Sequence, residues 1–212
     1  ILIFCHIITL MQIIRSATQA EVVLSFLQGE FESNRFGEEL RQVLDFFDFP
    51  HSLISDGDFC DKKQNEDRLK VFKKFRGFPD QELFENFPQN IEWNYVQFSK
   101  DDFSNCFYIN YSYWNELSDF TSKPTRACKN ILAGKEVFDV SNENFLRGKE
   151  LLGKMNFPPV ILISCKPQKN LIIEGHSRMT IYGFNPDFFE GTFGYVGKVS
   201  PEEMKLYDSR MI

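Results

Sequence analysis

The sequence predicts an α+β fold, with a mainly helical N-terminal part followed by a small mixed sheet with helices. Three observations lead there. Residues 20–27 and 36–47 place apolar side chains at helical spacing. Two apolar runs of strand length, 160–163 (VILI) and 171–173 (LII), are separated by a polar, turn-rich gap at 164–170. From Glu136 onward, strand-like and helix-like stretches alternate at short intervals. A soft boundary near Ala133 gives two parts, 1–133 and 134–212, expected to pack as one unit.

Composition narrows the class. The chain has 212 residues, 42% hydrophobic and 25% charged, enough for one sizeable domain or two small ones. Its 24 phenylalanines imply a core and grooves built on aromatic packing. A net charge of −6 provides no global basic field for nucleic acid or an anionic membrane. Cys5, Cys60, Cys106, Cys128 and Cys165 are odd in number and far apart, and His6, His51 and His176 are equally scattered. No pair has metal-site spacing. This reads as reduced thiols in a cytoplasmic protein without a zinc site.

Taken in order, residues 1–14 form an apolar run that begins without methionine, as in a fragment or a processed form. It is shorter than a membrane span needs and lacks a basic flank, so a buried strand or core helix is expected, with an uncleaved anchor as the alternative. Ser16 or Thr18 caps a helix whose apolar face holds Ala20, Val23, Leu24, Phe26 and Leu27, while Glu21, Glu30 and Glu32 line its other side. Pro50 ends the next helical stretch. Residues 51–65 read as a solvated acidic loop, because Asp56, Asp58 and Asp61 lack the calcium-loop spacing. Residues 67–75 form a helix stopped by Gly77-Phe78-Pro79. Its basic cluster (Arg68, Lys70, Lys73, Lys74, Arg76) is a solvated face or a phosphate-facing surface.

Residues 82–95 and 107–120 are dense in aromatics. Trp93, Tyr108, Tyr111, Tyr113 and Trp114 have the chemistry to stack bases, but filling a core edge is the more ordinary use. Residues 136–140 (EVFDV) read as a short strand. Ser141 then caps a helix that buries Leu146, Leu151 and Leu152. Residues 192–196 read as a strand, and Ser200-Pro201 opens a last helix.

The densest group of reactive side chains lies where the second apolar run ends, at Glu174, Gly175, His176, Ser177 and Arg178. Glycine at a strand-to-helix junction lets the backbone approach a ligand, and the following helix start points N–H groups at an anion. Arg178 can fork onto phosphate oxygens. Glu174 can hold Mg²⁺ or act as a base, and a histidine of near-neutral pKa can share that second role. The plainer arrangement is an ion pair between Glu174 and Arg178 that ties strand to helix. Glu136 and Asp139 are weaker acidic candidates.

Residues 157–163 (FPPVILI) and 171–183 (LIIEGHSRMTIYG) resemble the ParB/sulfiredoxin-like fold over about the last third of the chain. The box is most similar to the acid-Gly-His-x-Arg form of ParB-like phosphotransferases such as free-serine kinases. His176 stands where sulfiredoxins carry their reactive cysteine, and partition proteins have Glu-Arg-Arg after the glycine. The resemblance implies a nucleotide- or phosphate-binding protein, with Glu174 and His176 catalytic and Gly175, Ser177 and Arg178 holding the phosphates of ATP, ADP or CTP with Mg²⁺. It leaves two classes open: a phosphotransferase or hydrolase, and a regulatory module that binds a phospholigand without turnover and meets a protein partner through its aromatic N-terminal part. A ParB-like nuclease would need a basic groove that the acidic balance does not supply.

Overall fold

The computed structural model describes residues 11–33 and 35–212. The strand or core helix expected at the extreme N-terminus falls mostly on residues 1–10, outside the described residues. Six strands, β1 (Gln12–Ser16), β2 (Glu92–Gln97), β3 (Cys106–Tyr108), β4 (Val160–Lys166), β5 (Lys169–Glu174) and β6 (Phe193–Lys198), form one sheet in the order β1-β2-β6-β4-β5-β3. The β4–β6 and β3–β5 pairs are parallel and the others antiparallel. The sheet takes strands from both sides of residue 133. Trp93 of β2 pairs with Gly197 of β6, and Phe107 of β3 with Leu171 of β5.

Alternation along the strands sends side chains into two cores. Ile161, Ile163, Leu171, Trp93 and Tyr195 face helices α1 (Gln19–Phe31), α2 (Gly37–Phe46), α3 (Ser52–Ser55), α4 (Lys62–Arg76) and α10 (Pro201–Tyr207). Val160, Leu162, Ile172 and Val196 face α5 (Lys100–Ser104), α6 (Ser112–Leu117), α7 (Pro124–Leu132), α8 (Glu143–Leu151) and α9 (His176–Tyr182). Leu27, Leu40, Leu44, Ile54 and Val71 are fully buried in the first core. Burying side chains of this size stabilises the fold by about 1.5–3 kcal/mol each.

Local chemistry explains the helix starts. Thr18 accepts from the Glu21 amide and Glu21 reaches back to Thr18, a capping box. Asp61 caps α4 through the Gln64 amide, so that helix begins inside the stretch expected to be loop. Ser200 caps α10 with Pro201 at its first position.

Several expectations need correcting. Residues 136–140 do not form a strand: Phe138 and Asp139 have φ of 52° and 57°, and the chain turns back through a single Val137–Val140 bridge. Helix α8 buries Phe145 and Gly148, while Leu146 and Leu151 remain exposed. Arg68 does not lie on a solvated face. It is fully buried, and its guanidinium donates to the Leu53 carbonyl at 3.1 Å and the Asp58 carbonyl at 2.6 Å, stitching α4 to the loop before it. Glu21 and Glu30 are also buried, at 4% and 7% exposure. Among the described residues, no helix is long and apolar enough to cross a membrane.

Candidate functional site

The end of β5 and the start of α9 meet at Gly175, whose φ is 94°. A Cβ there would lie 2.8 Å from Val160 Cγ1 and 3.3 Å from the Arg178 guanidinium carbon, so both backbone and space require glycine. The turn brings Arg178 back over Glu174. Arg178 Nη2 donates to Glu174 Oε1 at 2.8 Å, and Nη1 donates to the carbonyls of Pro158 and Pro159 at 2.7 and 2.6 Å. The guanidinium also packs beside Gly29 of α1. Its donors are thus engaged with the Pro-led entry to β4, and this is the plainer of the two arrangements the sequence allows.

His176 lies apart from that pair. Its ring stacks on Trp114 at 5.3 Å and 15°, and on Tyr108 at 6.0 Å and 20°. It hydrogen-bonds to the Ile172 backbone, while Nε2 is enclosed and has no hydrogen-bond partner among the described residues. Burial, partly offset by Glu174, lowers its pKa to about 4. The ring is therefore neutral at pH 7, not poised near neutrality as the sequence suggests. Beneath it, Tyr108 shares a 2.7 Å hydrogen bond with Thr180, whose hydroxyl bonds the His176 carbonyl at 2.8 Å. Ser177 is exposed. Glu136 and Asp139 sit at the turn near residue 138.

Of the five box residues, Glu174 alone lines an aromatic cavity, a space of about 200 Å³ between the sheet, α1, α4, α10 and residues 78–91. Ile161 and Ile173 form its floor, and Phe26, Phe72, Phe78, Phe84, Phe87, Trp93 and Tyr207 build most of its wall. The rings brace one another edge to face: Phe26–Phe72 at 5.2 Å, Phe78–Phe84 at 5.0 Å and Phe87–Tyr207 at 5.2 Å. A dry cavity of about 150 Å³ holds benzene, so this volume is on the scale of one small ring.

Arg76 is the cation of the cavity. Its guanidinium lies 5.6, 5.9 and 5.8 Å from the rings of Phe26, Phe36 and Phe75, and it makes no hydrogen bond or ion pair among the described residues. Glu30 of α1 stands close enough to feel Arg76, Arg178 and Glu174. Burial, with Glu174 beside it, raises its pKa to about 7.

Sequence reasoning placed Arg76 in a basic helix face and Glu30 on the side of its helix opposite the apolar face. The available signal for Arg76 was its setting between Phe75 and Phe78, which matches a guanidinium held over rings. For Glu30 no local signal existed, because the groups around it come from α4, β5 and α9. A scan of protein-family models, a search of curated proteins and a search of solved structures each return no match for this chain.

Proposed function

We propose that this protein is a phospholigand-binding module that acts without turnover. A small compound with a flat ring and a phosphate, nucleoside phosphates included, seats its ring among the cavity aromatics and its phosphate against Arg76. The observation that carries this reading is the half-buried Arg76 guanidinium, unpaired among the described residues, in the wall of an aromatic cavity. Such a cation matches an anion bidentately. The likeness of residues 157–183 to the ParB/sulfiredoxin-like box supports the same ligand class, with the contact transferred from Arg178 to Arg76.

The catalytic reading, a phosphotransferase or hydrolase, keeps one point in its favour: Glu174 reaches the cavity wall, where it could meet a substrate hydroxyl. Its oxygen is held by Arg178, however, and the neutral His176 ring is absent from the cavity wall. Mg²⁺ asks for several hard oxygen ligands, whereas the carboxylates here stand among two guanidiniums. The residues do not fit a protein-held dication.

Thermal-shift measurements with phenyl phosphate, ATP, ADP and CTP test the proposal. Stabilisation by at least one of them, with the nucleotides recovered intact after incubation, is the expected result. Hydrolysis or transfer lost in Glu174→Gln would instead establish the catalytic reading, and absence of any shift would remove both.

A further inference from the structure

The aromatic cavity carries charge of both signs. Among the described residues that line it, Arg76 is the one guanidinium and Glu174 the one acid. They reach it from different elements, the end of α4 and the end of β5. Most of the remaining wall is aromatic or aliphatic. Gln89, one of the few other polar groups there, spends its amide on the Phe87 carbonyl at 2.8 Å.

Glu174 is pinned beside the floor. Its cross-strand partner is Ile161 of β4, which lines the cavity together with Ile173. The residue is 9% exposed, and Arg178 fixes it by donating to Oε1 at 2.8 Å. A carboxylate offers about four acceptor sites, and that bond fills one of them. Arg178 does not line the cavity, and its Nη1 is committed to the Pro158 and Pro159 carbonyls. A ring that turns only C–H groups toward Glu174 shuts water away from the carboxylate and returns no bond. A ring that turns an N–H or O–H toward it supplies a charge-assisted bond instead. The volume admits such a group: about 200 Å³, against the roughly 150 Å³ that holds benzene, fits one ring with a small substituent.

We propose that Glu174 determines which ring the cavity accepts. The ligand's ring carries an N–H or O–H donor that bonds the Glu174 carboxylate while its phosphate meets Arg76. The ligand class is thereby narrowed from any ring-bearing phosphate to an amino- or hydroxyl-substituted one. This inference rests on the ligand reading above and adds the specificity of the same site.

The probes are phenyl phosphates carrying an amino, methyl or fluoro group at ring position 3 or 4, substituents of similar size. Their affinities are measured by titration calorimetry. At the better of the two positions, the amino compound should bind the wild type about tenfold more tightly than the methyl compound. The fluoro compound, which donates nothing, should bind no better than the methyl one. Glu174→Gln keeps an acceptor for Arg178 but replaces a charge-assisted bond to the ligand with a neutral one of about half the strength. Its amino preference should therefore fall to about threefold or less. Equal binding of the amino and methyl compounds by the wild type at both positions would overturn this inference and leave the ligand reading intact. An undiminished preference in Glu174→Gln would do the same. Failure of the wild type to bind any of the series, phenyl phosphate included, would overturn both. The comparison of substituents is made on the unmodified protein, so it stands whether or not Glu174→Gln folds.

Discussion

Arg178 Nη2 stands 2.8 Å from Glu174 Oε1, four residues back across a left-handed glycine, and the same guanidinium grips the Pro158 and Pro159 carbonyls. One side chain thus joins the end of β5, the start of α9 and the chain entering β4. Removing it would leave a buried carboxylate and two carbonyls without their donor. Arg178→Met is expected to lower unfolding free energy by about 3 kcal/mol in urea titration. A loss within about 0.5 kcal/mol, the range of surface substitutions, would show that the contact holds nothing together.

Gly175→Ala probes the same turn through the backbone. The substitution must place a methyl group 2.8 Å from Val160 Cγ1 at a φ of 94°. A cost of about 1–3 kcal/mol is expected from denaturation midpoints. Unchanged stability would mean that the turn readily adopts another conformation.

Stability against pH should carry two opposing signatures. The Glu30 pKa rises from 4.5 to about 7 on folding, so the folded state binds more protons between those values and stability falls as pH climbs through them. The His176 pKa drops from 6.5 to about 4, so there the unfolded state binds more protons and stability rises with pH over 4 to 6.5. The windows overlap and largely cancel in the wild type. In Glu30→Gln the first contribution is gone, so stability should climb by about 2–3 kcal/mol from pH 4 to pH 6.5 relative to the wild-type curve. Parallel curves for the two proteins, recorded by urea titration at each pH, would rule out a raised Glu30.

Much of the fold can be read locally, and what cannot depends on distant partners. Thr18, Ser200-Pro201 and the runs at 160–163 and 171–173 announce their elements through capping chemistry and apolar period. Strand β2 is masked because Trp93 and Tyr95 look like any aromatic cluster until β6, a hundred residues later, supplies its ladder. Strand β3 has only three residues and pairs with β5, which lies more than sixty residues further along the chain. The stretch around Phe138 and Asp139 alternates like a strand, but both residues turn left-handed. The Glu174–Arg178 spacing of four was legible, and the structure realises it as the ion pair. The cavity was not legible, since seven rings, Arg76 and Glu174 arrive from α1, α4, residues 78–91, β2, β5 and α10.

The central claim is that Arg76 receives the anionic end of a ring-bearing phosphate. Titration of phenyl phosphate into the wild type and Arg76→Gln tests it most directly. Arg76 is half-buried and lies at the end of α4, so the variant should fold. The predicted result is at least about tenfold weaker binding by Arg76→Gln, in line with loss of a charge-assisted pair worth 1.5–3 kcal/mol. Equal affinity in the two proteins would contradict the account.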